Sequence, residues 1–268
     1  MVRADSQAAG TTAGGPSILS KAFDVLRAFD STNRVMTLTE LSHVSGLPKS
    51  TVHRLLGRLV ELGAVEHHGA AGYKIGLDLL RIGSATPALR LRDCAMPYLT
   101  SLQRGSGQAV YLGVLRGFDV VFLERLEPAH VVESPVPVGG RLPAHCTAIG
   151  KALLAYEDFE ELAMFLPSPL AALTPHSVTS VDALIKELGQ VRRLGFAHEH
   201  NEARQGLLSL AVPIVMQGFA IGALSVACPE GVRLDPTLTS ALRDAAAGIA
   251  RKGQSLVGHR TRWFPGPS

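Results

Sequence analysis

Apolar residues recur at Ile18, Leu19, Ala22, Val25, Leu26 and Phe29, the three-and-four spacing that lays one stripe along an α-helix. The pattern predicts a first helix over 17–29. Thr37-Leu38-Thr39-Glu40 then has the form of a capping box, with the Thr37 hydroxyl set for the Glu40 amide and the Glu40 carboxylate reaching back. A short second helix is predicted from there to about Ser45. Gly46 permits a tight turn, and Leu47-Pro48 restarts a helix at a place where proline's missing amide hydrogen costs nothing. This third helix runs to Leu62. It gathers Val52, Leu55, Leu56 and Leu59 on one face and spreads Lys49, Ser50, Thr51, His53, Arg54 and Arg58 over the rest. Beyond Gly63, Ala64 to His68 and Tyr73 to Ile75 bracket Gly69-Ala70-Ala71-Gly72, a hairpin placed as a wing would be.

The pattern changes after Gly76. An amphipathic stretch over 77–82 is interrupted at Pro87, and a second helical stretch covers about Asp93 to Gln103, which puts a domain boundary in this connector. Two-residue alternation then predicts strands over 108–115, 120–127 and about 131–136, with a turn at Arg116-Gly117-Phe118-Asp119. Helical spacing returns at 148–155, 159–165 and 181–194, and a last helix is predicted from about Pro236 to Leu256. Leu207 to Cys228 is long enough to cross a bilayer. Pro213 and the turn pair Gln217-Gly218 divide it instead into two strand-length runs, a buried hairpin. Strands followed by helices make the second domain α+β, an antiparallel sheet with helices packed on it.

Composition supports that division. The 268 residues are 46% apolar and 18% charged, enough for sizeable cores and for roughly two domains. Residues 1–16 form a disordered leader without the apolar run of a signal peptide, 17–76 the first domain, 77–92 a linker helix, 93–257 the second domain and 258–268 a flexible tail. Net charge is only +3, so any nucleic-acid contact depends on a local patch. The third helix supplies one, because no acidic residue lies between Glu40 and Glu61 while Lys49, Arg54 and Arg58 do. A glycine turn between two helices, the second polar and basic at its start, suits entry into a DNA major groove. A helical bundle with a solvated basic face is the plainer alternative. From 81 to 104, Arg81, Arg90, Arg92 and Arg104 face only Asp93, which a solvated linker explains as well as DNA does. Cys94, Cys146 and Cys228 are too scattered for a disulfide framework or a metal knuckle, which fits a cytoplasmic location, and no cofactor motif is present.

Candidate ligand chemistry lies in the late hairpin. Its even positions Leu208, Leu210, Val212 and Ile214 are large and apolar, whereas the odd positions are smaller or polar. In the second strand Ile221, Ala223, Ser225 and Ala227 share a face, so Ser209 and Ser225 are expected on a concave, small-residue surface with volume for a ligand. Close packing of a helix there is the alternative. Arg141 to Lys151 leads into a helix whose first amides attract an anion near Thr147, Ala148 and Ile149, unless Thr147 caps them. An enzyme would use Cys146 beside His145, or Ser209 with a histidine, yet nothing supplies an oxyanion hole or an orienting group. His198 and His200 share a strand face and could gather a metal with His145, Glu199 pointing the other way, but with no further ligand pattern they read as polar histidines at a surface strand edge, and no metal is expected.

Three segments resemble the IclR family of bacterial transcription regulators: Leu38 to Leu62, Arg141 to Ala155, and Glu199 to Pro229. The likeness implies a winged helix-turn-helix, a linker helix and a GAF-like effector domain. It also implies a homodimer or dimer of dimers whose affinity for double-stranded operator DNA is tuned by a small-molecule effector. Positions matching the family's ligand contacts are Ala148, Ile149, Glu199, Leu207, Ser209, Ser225 and Ala227. Members often carry cysteine where this chain has Ser209 and a smaller residue than Ile149, so the pocket should differ. Glu199 would repel a carboxylate ligand unless one is protonated or Glu199 receives a ligand hydroxyl. The expected function is a repressor released by a small organic acid or aromatic catabolite. The alternative is a small-molecule-binding module or enzyme that uses its helical region for oligomer contacts.

Overall fold

The computed structural model describes residues 17–30, 33–69, 72–128, 136–232, 235 and 237–253. The expected leader and tail, the hairpin tip at Ala70 and Ala71, and nearly all of the strand expected over 131–136 lie outside them. The chain forms two compact units, Met1–Ala85 and Thr86–Ser268.

In the first unit, helices α1 (Ile18–Arg27), α2 (Leu38–Ser45) and α3 (Lys49–Glu61) enclose a core of Val25, Leu41, Val52, Leu55, Leu56 and Leu59. The capping box on α2 is made, and Gly46 closes that helix at φ 68°. Pro48 stands one residue earlier than expected, as the N-cap of α3, where its carbonyl accepts the Val52 amide at 3.0 Å. Strands β1 (Met36–Thr37), β2 (Val65–His68) and β3 (Gly72–Ile75) form a sheet in the order β1-β3-β2, so the wing gains a third strand. At its base two glycines cross. Gly76 donates its amide to Ala64 at 2.9 Å, and a Cβ on Gly76 would lie 2.0 Å from the Gly63 carbonyl oxygen. Helix α4 (Leu77–Ser84) leaves from this crossing, its first amide bonded to the Glu66 carboxylate at 3.0 Å.

The second unit starts with α5 (Pro87–Ser106). The helix expected from Asp93 begins six residues sooner, because proline in a first turn needs no amide partner and opens a helix there instead of interrupting one. Its strands are β4 (Ala109–Arg116), β5 (Asp119–Leu126), β6 (Arg141–Pro143), β7 (Ala197–His200), β8 (Leu207–Met216) and β9 (Phe219–Pro229). They pair antiparallel in the order β6-β5-β4-β9-β8-β7. After a 3-10 turn over Ala144–Cys146 come α6 (Ala148–Leu154), α7 (Phe159–Phe165) and α8 (Val181–Leu194), and α9 (Leu238–Lys252) closes the unit.

Alternation sends the two sheet faces to different partners. Leu210, Val212, Ile214, Leu224 and Val226 pack on α5 and α9, whereas Ala197, Ala211 and Ala223 pack on α6 and α8. Ile221 departs from the expected face. The β8 register passes from Ile214 opposite Gly222 to Val215 opposite Ala220, which leaves Ile221 as the extra residue of a bulge and turns it toward the α5–α9 side.

Candidate functional site

On α3, packing decides what is left for a partner. Val52, Leu55, Leu56 and Leu59 hold the helix to its core, while Lys49, Ser50, His53, Arg54 and Arg58 are exposed and Thr51 is half-buried. Lys49, His53 and Arg54 make no hydrogen bond or ion pair among the described residues. Arg58 differs: its Nη1 meets Glu61 Oε2 at 2.7 Å, so the helix's own last turn offsets one of its three cations.

The predicted effector residues meet on the α6 face of the second sheet. Cross-strand register puts Glu199 opposite Ser209 and Ser209 opposite Ala227, with Ala211, Ser225 and Tyr111 in the next row. Glu199, Ser209, Ser225 and Ala227 are buried, as are Ala148 and Ile149 at the start of α6, while Leu207 at the strand edge is half-buried. Tyr111 meets the Phe122 ring edge-on at 5.8 Å. The Thr147 hydroxyl accepts the Gly150 amide at 2.9 Å, so Thr147 is the cap of α6. A Cβ on Gly113 would come 2.9 Å from Ile149; α6 therefore lies close against the sheet. A cleft of about 630 Å³ opens elsewhere, between α5 and α9.

Glu199 does not present a free carboxylate. Its Oε1 accepts the amides of Glu202 at 2.8 Å and Ala203 at 3.1 Å, and its Oε2 accepts the Ser209 hydroxyl at 2.9 Å. Burial pushes its pKa up, against the pull of those three donors. This carboxyl closes the turn after β7.

Sequence spacing missed the charged cluster beneath. Lys151 on α6 is buried to 1% exposure, and its ammonium lies 2.7 Å from both Glu187 on α8 and Glu202 on the turn after β7. The available signal was a lysine inside an otherwise apolar helical run, Ala148 to Ala155.

The histidines and cysteine considered for other chemistry have other partners. His145 Nε2 lies 2.8 Å from the Ala171 carbonyl and the Cys146 thiol reaches the same oxygen at 3.8 Å. Burial holds His145 below its ordinary pKa and pushes the Cys146 thiol up, away from a thiolate. His198 and His200 are exposed on β7, the latter 3.0 Å from Glu230. Among the described residues no three His, Cys, Asp or Glu side chains are grouped to hold a metal. The span-length segment Leu207 to Cys228 is the β8–β9 hairpin, and no described helix is long and apolar enough to cross a membrane.

Comparison with known proteins is decisive at this point. Residues 18–69 match the IclR helix-turn-helix domain, and residues 84–251 match the bacterial transcriptional regulator IclR C-terminal domain. This chain belongs to the IclR family. It is 33% identical over 244 residues to the HTH-type transcriptional regulator XynR of Escherichia coli, covering 90% of this chain and 93% of that protein. To the Pca regulon regulatory protein of Pseudomonas putida it is 32% identical, covering 84% and 81%. Among solved structures, an IclR homolog from Microbacterium hydrocarbonoxydans complexed with 4-hydroxybenzoate superposes with a TM-score of 0.76 at 31% identity, covering 89% of this chain and all of that one. The IclR-family chain is thus a DNA-binding transcriptional regulator with an α+β carboxy-terminal domain.

Proposed function

We propose that this IclR-family protein is a cytoplasmic repressor whose hold on double-stranded operator DNA is changed by a small organic acid or aromatic catabolite. The observation that carries the reading is the exposed, unpaired set Lys49, His53 and Arg54 on α3, beside the wing. These side chains, with Ser50 and Thr51, would approach base edges near the start of the helix, and Arg54 and Arg58 would meet phosphate or guanine. Arg58 reaches DNA by exchanging Glu61 for phosphate, so its net contribution is smaller than Arg54's.

The small-residue face supports an effector site of Ala148, Ile149, Glu199, Leu207, Ser209, Ser225 and Ala227. Ile149 stands over Gly113, so a ligand on this face would meet the start of α6. The aromatic class is favoured by the 4-hydroxybenzoate complex of the Microbacterium homolog. Exposed apolar residues on α1 (Ile18, Leu19, Phe23) and α4 (Leu77, Leu80) favour a homodimer or dimer of dimers.

Gel-shift titration on the chain's own upstream promoter region tests the reading. Arg54→Ala with Arg58→Ala should weaken binding by roughly 1–3 kcal/mol per lost contact and lower the salt slope by about 1 for each lost phosphate contact. Unchanged affinity and unchanged slope would remove α3 from the groove.

A further inference from the structure

In the second unit two carboxylates, the buried Glu202 and the half-buried Glu187, share one buried ammonium. One ammonium, Lys151, faces Glu187 and Glu202 at 2.7 Å each and the His198 carbonyl at 3.5 Å, while Glu199 lies one hydrogen bond further along through the Glu202 amide. Glu202 Oε2 is buried and has no hydrogen-bond partner. An ionised oxygen shut away without a donor is costly, and a neutral carboxyl in the same place far less so.

We propose that Glu202 takes up a proton in the folded protein and thereby latches the turn that carries Glu199 against Ser209. The turn is otherwise held through its main chain. Its backbone is tied at the Asn201 and Glu202 carbonyls by the hydroxyls of Thr174 at 2.6 Å and Ser177 at 2.8 Å, and Asn201 sits at φ 61°. Loss of the proton adds a second carboxylate charge beside Glu187 on a single ammonium, in the residue whose amide Glu199 accepts.

The charged and titratable groups around Glu202 all enter this balance. Lys151 comes from α6, Glu187 from α8, and Glu199 from β7. Cys146 comes from the 3-10 turn, and the His200 main chain steadies the anion. His145 and His198 feel Lys151 as well, with Asp119 beside His145 and Glu187 beside His198. Burial raises Glu202 most, Lys151 pulls it back, and Glu187 adds to the rise.

The sign follows from linkage. A carboxyl whose folded pKa stands above the unfolded value stabilises the fold at low pH, and that stability is lost as pH rises through the folded value. Urea unfolding of the full chain and of Glu202→Gln, from about pH 5 to 8 at fixed ionic strength without effector or DNA, reads it directly. The wild-type folding constant should fall relative to the variant by up to about tenfold per pH unit within that window. Parallel pH profiles would overturn the proposal. Should Glu202→Gln fail to fold, infrared spectra of Glu199→Gln must show an un-ionised glutamic acid band persisting after exposed glutamates have ionised; a spectrum of carboxylates alone would overturn it equally. Neither measurement involves DNA, so the regulator reading stands or falls separately.

Discussion

The hydrogen on the Gly150 α-carbon is what lets α6 start where it does. A Cβ there would lie 2.1 Å from the Ala144 carbonyl oxygen and 2.3 Å from its α-carbon, contacts with main chain that no rotamer change relieves. Gly150→Ala should therefore cost about 3 kcal/mol, read as a lower urea midpoint with the slope unchanged. Lys151→Ala should cost about 3 kcal/mol, because the buried Glu202 and the half-buried Glu187 lose their ammonium partner; the same titration checks it. These neighbours differ in how far the chain foretold them. Gly150 belongs to a recognisable segment, Arg141 to Ala155. The role of Lys151 was invisible, since its partners lie 36 and 51 residues away and local spacing cannot say where a long side chain finds charge.

At the scale of elements, the capping box makes a pH prediction. The Thr37 amide reaches Glu40 Oε2 at 2.8 Å and the Glu40 amide reaches the Thr37 hydroxyl at 3.3 Å. The main-chain bond from Thr37, then its hydroxyl, holds the Glu40 carboxyl below its ordinary value of 4.5. A depressed carboxyl contributes stability above the unfolded pKa and loses it as pH falls through the folded one. Amides of α2 should thus lose hydrogen-exchange protection on acidification, and Thr37→Ala should lower protection about fivefold at neutral pH. Exchange rates indifferent to both changes would contradict the assignment. Elements with strong periodicity or a capping signature were legible: α2, α3, α8 and the β8–β9 hairpin. The two shortest strands were not. β1 and β6 span two and three residues, too few to alternate, and exist only because distant strands offer them an edge. The bulge at Ile221 was hidden for a related reason, because register is a property of the pair and not of either strand.

For the whole molecule, two compact units allow DNA binding and the proposed effector response to be taken apart by mutation. Ser225, 4% exposed on the α6 face, is the place to try. Ser225→Leu should fill the proposed pocket and abolish the response to a panel of small organic and aromatic acids, while operator affinity without ligand stays within about twofold. A retained response would take Ser225 out of the site, and equal loss of ligand-free binding would mean that the substitution harms folding. Legibility also ends at this scale. The division into a basic helical part and an α+β part follows from patterns along the chain, but the number of subunits depends on which exposed apolar residues are covered by another copy, and composition carries no trace of that.

The glycine crossing at the foot of the wing gives α4 a mechanical role. With the Gly76 backbone pressed on Gly63 and the first α4 amide tied to Glu66, there is no slack joint between that helix and β2. A displacement at the start of α4 would bear directly on Gly63 and β2. A methyl on Gly76 would meet the Gly63 carbonyl oxygen at 2.0 Å and pry the two apart, whereas one on Gly63 would meet the Asp78 carboxylate instead.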